Sequence, residues 1–196
     1  NIATYNRYKI GDADDAFKEC DLVVEKEVEL QTVHQGYIEP HSGTAIWDED
    51  DRVKVWTSTQ GSFSNRDSVS KVLNLDVSRV KVTPMEIGGG FGGKIPVYLE
   101  PIAAVLSKKS RRPVQLVMSR TDVFDASGPA PGGKVIVKIG VDKNGKMLAG
   151  YADIRLEAGG YPEAFIEAAA KCVFSCYDIP SMAVSYTHLT LPTKPF

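Results

Sequence analysis

The stretch "IGGGFGGKIP", Ile87–Pro96, places five glycines within six residues around a single Phe91. Glycine inside a helix or strand costs about 0.5–1 kcal/mol relative to alanine, so such a run requires something that only glycine supplies. The stretch follows an alternating, strand-like segment, "SRVKVTPMEI", and precedes a helix-like one, "EPIAAVLSKKS". The sequence therefore predicts a strand, a glycine loop whose backbone closely approaches another group, and a helix.

Two phosphate-binding patterns lie inside this loop. Gly88, Gly90 and Gly93 satisfy G-x-G-x-x-G, and Gly93-Lys94 closes a G-x-x-x-x-G-K pattern. The second pattern lacks its last member, because Ile95 stands where a Ser or Thr hydroxyl would bind Mg²⁺.

Both patterns also require the loop to open a helix, so that the first helical N–H groups face the anion. Pro96 and Pro101 each disfavour helical backbone in the residue before them, so the helix is predicted to begin near Pro101, away from the loop. Arg120 could still serve a 2′-phosphate, which leaves a nucleotide-binding module as an alternative. A glycine turn needed only for packing is a further alternative.

The segment before the loop adds a polar side chain. "RVKVWTST", Arg52–Thr59, alternates like a strand and is followed directly by Gln60. "SNRDSVSKVLNL" then predicts a helix with Ser64 or Asn65 as its N-cap. One helix and one strand after Gln60 the glycine loop begins, so the amide and the loop are expected on the same side of a sheet.

The remaining pattern predicts an α+β fold with a mixed sheet, helices and an antiparallel hairpin. "GDADDAF" indicates a short helix, "DLVVEKEVEL" and "RPVQLVMS" indicate strands, and "PEAFIEAAAKCVFSC" a helix beginning at Pro162. Asn144-Gly145 lies between two alternating runs and predicts the hairpin turn.

The sequence predicts that the chain has three parts. Residues 1–10 are predicted to be a linker from a missing upstream domain, and residues 11–184 one domain. The segment "SYTHLTLPTKPF", residues 185–196, has no periodicity and no acidic residue. It resembles translated sequencing-adaptor read-through, so we interpret it as an unrelated tail and expect the natural chain to continue differently after Val184.

Composition excludes several functional classes. The 196 residues have a formal net charge of −2 with both signs interspersed, which argues against nucleic acid as a partner. No apolar run approaches the roughly 18 residues of a membrane span. The three cysteines show no paired metal-ligand spacing.

From about Gly11 to Val184 the chain resembles the molybdenum-binding subunit of the molybdenum hydroxylases, the family of xanthine dehydrogenase, aldehyde oxidase and carbon monoxide dehydrogenase. The resemblance is carried by the combination "EP…STQ…GGGFGGK…RPV" and by "VHQGYIEPHSGTA" and "VDKNGKMLAGYADIRLEAGGYPEA". It implies a molybdopterin-binding-domain-like fold.

The resemblance also implies a site. Gln60 would lie beside an apical molybdenum ligand, and the Phe91 N–H would point to an oxygen on the metal, which makes these two the implied catalytic residues. Gly89, Gly90, Gly92 and Gly93 would complete the cofactor-binding loop. Neither Gln60 nor Phe91 would ligate the metal directly, and the family's general base, a Glu near the far C-terminus, lies outside this chain.

The implied function is that of a fragment of an oxidoreductase that oxidises an aldehyde or N-heterocycle-like substrate with water as the oxygen source. The implied cofactor is molybdenum-molybdopterin, or its cytosine dinucleotide form. FAD and [2Fe-2S] clusters would lie on partner subunits or missing regions, in a cytoplasmic oligomer with an iron–sulfur and a FAD subunit. The fragment alone is expected to be incomplete and inactive. A paralogous assembly subunit without cofactor remains an alternative.

Two departures from the family's purine oxidisers concern the substrate. Ile95 replaces a Glu after "GGK", and "ASGPAPGGK" offers no Arg. We therefore predict a substrate other than a xanthine-like purine. Glu39, flanked by His34 and His41, is interpreted as a structural carboxylate that caps local backbone, since the spacing of the three does not fix a metal-ligand geometry.

Overall fold

The computed structural model describes residues 2–159 and 166–190. Its strands are β1 (Ile2–Ile10), β2 (Leu22–Leu30), β3 (Ser42–Trp47), β4 (Val53–Thr57), β5 (Val80–Pro84), β6 (Val114–Val117), β7 (Gly133–Val141), β8 (Met147–Gly159) and β9 (Ser181–Thr190). Its helices are α1 (Ala13–Lys18), α2 (Ser62–Leu73), α3 (Glu100–Ser110), α4 (Arg120–Ala126) and α5 (Ile166–Cys172), with a 3₁₀ turn at Val77–Arg79. The mixture of strands and helices confirms the α+β class.

The chain forms two compact units rather than the single domain that the sequence predicted. The first contains the described residues of 1–33 and 131–196, and the second is His34–Ala130. The division follows from the pairing of β2 with β7, which brings Leu30 opposite Gly133. About a hundred residues are thereby inserted between two neighbouring strands, and they build a sheet of their own.

The first unit has a five-stranded sheet with the order β1-β9-β8-β7-β2. The β8–β9 pair is parallel and the others are antiparallel. Residues 2–10, predicted as a linker, form the edge strand β1. Residues 185–190, which the sequence analysis left outside the fold, pair with β1 on one side and β8 on the other.

Alternation along β8 builds the core of this unit. Ala152, Ile154 and Leu156 are buried on one face, where α5 contributes Ile166 and Ala170. The predicted hairpin is confirmed: Gly145 has φ +82°, and the Asp142 carboxylate accepts from the Asn144 and Lys146 N–H groups. The predicted helix start at Pro162 lies outside the described residues.

The second unit has a four-stranded sheet with the order β5-β4-β3-β6. β4 and β5 are parallel and are joined by α2, whereas β3 is antiparallel to both of its neighbours. Its core consists of Ala45, Val53 and Val55 from the sheet and Ala103 and Ala104 from α3. Pro101 occupies the first turn of α3, as predicted.

The predicted N-cap of α2 was wrong. The helix begins at Ser62 after Gly61, which provides no side-chain cap. Asn65 is instead fully buried inside the helix, where its amide donates to the Glu100 carboxylate at 3.0 Å. Across the described ranges 2–159 and 166–190, no helix combines the length and apolar character needed to cross a membrane.

Candidate cofactor-binding loop

The parallel pair β4 and β5 delivers two polar segments to one edge of the sheet. Thr57 at the end of β4 lies opposite Pro84 at the end of β5. Both chains therefore leave the sheet at the same edge, where Gln60 follows β4 and the glycine loop follows β5. The predicted convergence of the amide with the loop is confirmed.

The side chain of Gln60 is fixed by the loop. Its Oε1 accepts from the Gly92 N–H at 3.0 Å and from the Lys94 N–H at 3.1 Å. Its backbone N–H donates to the Lys94 carbonyl at 3.0 Å. Two N–H donors hold the carbonyl end of the amide. The NH₂ end is exposed, and neither of its N–H groups has an acceptor among the described residues.

The loop leaves three consecutive backbone donors unpaired. Within the described part of the chain, the N–H groups of Gly89, Gly90 and Phe91 have no acceptor, whereas those of Gly92 and Gly93 do. Phe91 has a left-handed backbone, φ 49°, and is 74% exposed. Successive free N–H groups in such a turn form a cluster that receives an anion or an anionic oxygen.

Three glycines are required by side chains behind the loop. A Cβ at Gly88 would lie 2.6 Å from Glu39 Cβ, one at Gly90 2.5 Å from Gln60 Oε1, and one at Gly93 2.7 Å from Tyr37 Cε1. At Gly92 a Cβ would meet nothing within 4 Å. The glycine run predicted the close approach of another group to the backbone, and the structure shows that close protein packing already requires three of the glycines.

Glu39 and Lys94 clamp the loop from behind. Lys94 is 1% exposed and its ammonium lies 2.6 Å from Glu39 Oε2, which also accepts from the Gly88 N–H at 2.7 Å. Partial burial raises the pKa of Glu39, but the Lys94 ammonium and the Gly88 N–H outweigh it and hold the pKa below its ordinary value. The interpretation of Glu39 as a structural, backbone-capping carboxylate is confirmed.

This clamp removes the support for a phosphate-binding lysine. The Lys94 ammonium is buried against Glu39, so it does not extend from the loop as a P-loop lysine would. α3 begins at Glu100, and no helix opens at the glycine loop itself. Arg120, the other candidate phosphate ligand, donates from Nη2 to the Ile38 carbonyl.

The two histidines near Glu39 have partners of their own. His41 Nε2 lies 2.6 Å from the Tyr37 hydroxyl, and His34 Nε2 lies 2.9 Å from Ser127 Oγ. Burial, and after it the Lys94 charge, lowers the pKa of His41. No cluster of three or more His, Cys, Asp and Glu residues suited to a metal ion occurs in the ranges that the structure describes.

Sequence reasoning missed the burial of Tyr37 and Lys94. Tyr37 is 1% exposed and its ring lies beneath the Lys94 ammonium, 5.1 Å from it. The available signal was the glycine run itself, because each glycine marks a place where another side chain approaches closely. The sequence does not show which side chains these are, since Tyr37 and Lys94 lie far apart along the chain.

Comparison with known proteins identifies the family of the chain. A family model described as the molybdopterin cofactor-binding domain matches residues 1–194. The chain is 30% identical over 188 residues to the nicotinate dehydrogenase large molybdopterin subunit of Eubacterium barkeri. This match covers 94% of this chain and 44% of that one. It is 31% identical over 180 residues to a xanthine dehydrogenase of Blastobotrys adeninivorans, covering 89% of this chain and 13% of that one.

Among solved structures, the aldehyde oxidoreductase of Desulfovibrio gigas has the same fold, with a TM-score of 0.76 at 20% identity. The match covers 97% of this chain and 21% of the other. The chain thus spans less than half the length of these relatives. Because the family model accounts for nearly every residue, the chain belongs to the molybdopterin cofactor-binding domain family.

Proposed function

We propose that this chain is the part of a molybdenum hydroxylase that holds the molybdenum-pterin cofactor, at Gln60 and the glycine loop. The observation that supports it most is the unpaired donor set: three consecutive N–H groups beside a carboxamide whose NH₂ end is free. Glu39, a carboxylate in contact with the loop, already has Lys94 as its counter-charge. Such a site favours anionic oxygen and sulfur atoms and suits the oxo and dithiolene groups of this cofactor.

Each residue has a separate role in this proposal. The Gln60 NH₂ and the Phe91 N–H would hold the cofactor by donating hydrogen bonds to it, without ligating the metal. The backbone of Gly89, Gly90, Gly92 and Gly93 lines the remaining contact, and the exposed Phe91 ring keeps water from that side. When bound, the cofactor supplies two-electron oxidation of a carbon centre, with oxygen derived from water.

The proposed substrate class rests on the names of the relatives and on Ile95, which differs from the Glu of the family's purine oxidisers. A relative named for nicotinate supports an N-heterocycle, and the family resemblance also supports an aldehyde. Another relative is named for xanthine, but the aliphatic Ile95 offers no carboxylate to anchor a purine. We therefore propose an aldehyde or a non-purine N-heterocycle, oxidised by the full-length protein. Turnover of xanthine at a rate equal to that of nicotinate or an aromatic aldehyde would contradict this.

The decisive experiment replaces only the donor end of the amide. In the natively purified full-length protein, Gln60→Glu keeps an oxygen for the Gly92 and Lys94 N–H groups and exchanges the NH₂ for a negative oxygen. We expect near-stoichiometric molybdenum in the wild type and about a 10²-fold or larger loss of kcat in the variant. Gln115→Glu, on the exposed part of β6, is the matched control and should change neither quantity.

Two outcomes would overturn the proposed function: absence of molybdenum from the wild type, or unchanged molybdenum and kcat in Gln60→Glu. The same preparation tests the proposed partners. Flavin and iron–sulfur absorbance should copurify on separate subunits or other parts of the chain. Gel filtration tests the oligomer, and cell fractionation tests the cytoplasmic location.

A further inference from the structure

Behind the glycine loop lies a buried aromatic and imidazole cluster to which the proposed function assigns no role. We propose that Tyr37 is a positioning residue: its ring, anchored through its hydroxyl by His41, sets the conformation of the loop that presents the free N–H groups. The consequence for cofactor binding rests on the proposed function, whereas the contacts that position the loop lie within the protein itself.

The ring of Tyr37 contacts the loop directly. A Cβ at Gly93 would come within 2.7 Å of Tyr37 Cε1, and one at Gly89 within 3.2 Å of Tyr37 Cβ. These glycines lie on either side of Gly90 and Phe91, whose N–H groups are unpaired. The position of the ring therefore limits where the unpaired donors can lie.

The same ring holds Lys94. The ammonium lies 5.1 Å from the ring centre and 2.6 Å from Glu39 Oε2. A buried cation over an aromatic face is attracted by the ring quadrupole, and more strongly where water is excluded. The Lys94 backbone in turn bonds Gln60 through both its N–H and its carbonyl group, so Tyr37 is linked to Gln60 through one residue.

The hydroxyl of Tyr37 is anchored on the far side. It lies 2.6 Å from His41 Nε2 and 3.3 Å from Ser127 Oγ. Ser127 also bonds His34 Nε2, and the Gly36 N–H donates to His34 Nδ1, which places the His34 proton on Nε2. The charged and titratable groups around this anchor are Lys94, Glu39, Glu100, His34, Tyr98 and Arg120.

Anchoring by an imidazole makes the loop sensitive to protons. Neutral His41 can accept from the phenol through Nε2, whereas a protonated ring has lost that acceptor and adds a positive charge near Lys94. Burial and the Lys94 charge lower the pKa of His41, so this state is reached only below the ordinary histidine range. Loop order is therefore expected to decrease as the pH falls below the ordinary histidine pKa of 6.5.

Amide hydrogen exchange of residues 88–94 in the full-length protein, prepared without cofactor, tests the proposal. Tyr37→Leu removes the ring, and we expect exchange there to be about tenfold faster or more, with lower molybdenum content after cofactor loading. Tyr37→Phe keeps the ring but loses the hydroxyl anchor, so at pH 7.5 its exchange rate and molybdenum content should lie between those of the wild type and those of Tyr37→Leu. It should also lose most of the change in loop exchange between pH 7.5 and 5.5. Tyr151→Phe, in β8 of the other unit, is the matched control.

The outcomes separate this inference from the proposed function. Wild-type exchange in Tyr37→Leu would overturn the positioning role, whether or not the wild type contains molybdenum. If Tyr37→Leu does not fold, the pH series of Tyr37→Phe decides, and a series coincident with that of the wild type overturns the role. A wild type without molybdenum overturns the proposed function and leaves the exchange measurement valid.

Discussion

At the residue scale, one buried cation organises the glycine loop. Lys94 is almost fully buried, and a charge is tolerated there because Glu39 lies 2.6 Å away and the Tyr37 ring lies over it. Its backbone contacts Gln60, so the ion pair and the candidate donor amide belong to one network. Substitutions in this network should therefore affect stability and the candidate site together.

Glu39→Gln should lower the free energy of unfolding of the second unit by about 2 kcal/mol. The variant retains an oxygen for Lys94 but removes its counter-charge, and the partial exposure of Glu39 keeps the cost below that of a fully buried pair. Urea unfolding followed by tryptophan fluorescence measures it, because Trp47 and Trp56 both lie in this unit. Asp67→Asn, in a solvent-exposed pair with Arg66 of the same unit, should have no measurable effect. An unchanged midpoint for Glu39→Gln would contradict the clamp.

Alanine at Gly90 and at Gly92 should act differently. At Gly90 the new Cβ would lie 2.5 Å from Gln60 Oε1, so the amide must move away from the Lys94 N–H. At Gly92 the Cβ meets no atom, but φ +92° costs an alanine about 1 kcal/mol or more. Both variants should be destabilised, and only Gly90→Ala should accelerate hydrogen exchange of the Lys94 amide. Equal exchange in the two would exclude the predicted displacement of Gln60.

Part of the site could be predicted from sequence. Gln60 and the loop are separated by a single helix and strand, and a strand–helix–strand order with parallel strands brings both strand ends to one edge. The support behind the loop could not be predicted in this way. Tyr37 and His41 lie in the segment between β2 and β3, where no periodicity fixes their direction.

At the element scale, the predicted strands and helices are those with strong alternation or a turn signal, such as the β7–β8 hairpin. β3 was not predicted, because "SGTAIW" is short and opens with Ser and Gly, and its order comes from pairing on both sides with β4 and β6. α4 was not predicted either, although Ser119 and Asp122 form a capping box at its start. Tertiary pairing decides such short segments more than propensity does.

β9 contains a local conflict between sequence and fold. His188 is 7% exposed, and neither ring nitrogen has a partner within the described residues. A buried imidazole without hydrogen bonds is destabilising. The neighbouring side chains fit the fold, since Tyr186 packs in the core and the Ser185 hydroxyl donates to Asp153 Oδ1 at 3.1 Å, and the family model extends over this segment to residue 194.

His188→Leu should therefore raise the free energy of unfolding of the first unit by about 1 kcal/mol. The matched control is His34→Leu, where both nitrogens have partners, Gly36 N–H and Ser127 Oγ. That change should lower the free energy of unfolding of the second unit by about 1–3 kcal/mol. Tryptophan fluorescence in urea follows the second unit, and the part of the far-UV circular dichroism transition that does not coincide with it follows the first. Destabilisation by His188→Leu would show that the imidazole has a favourable role in β9.

At the scale of the whole molecule, the candidate site lies entirely in the inserted unit, His34–Ala130. Gln60, the glycine loop, Glu39 and the Tyr37–His41 pair all belong to it. The stability of the site can thus be followed through the two tryptophans, which both report on the inserted unit.

The free energy of unfolding of the inserted unit should decrease in two steps as the pH falls. The pKa values of His41 and Glu39 are lowered in the folded chain, His41 first of all by burial. Between its lowered folded value and the ordinary 6.5, the unfolded chain binds more protons at His41, so the free energy of unfolding decreases as the pH falls. Glu39 adds a second decrease below its ordinary 4.5.

His41→Gln should remove the upper step and leave the lower one. Urea midpoints from tryptophan fluorescence at pH 7.5, 6.5, 5.5, 4.5 and 3.5 measure the difference between variant and wild type. Glu39→Gln is the reciprocal variant, since it reduces the lower step and retains the decrease below pH 6.5. The remainder of the lower step belongs to Asp51, Asp76 and Asp122, whose pKa values are also lowered in this unit. If His41→Gln follows the wild-type curve through the upper window, protonation at this imidazole does not control the stability of the unit. The proton sensitivity inferred for the loop would then have no source in His41.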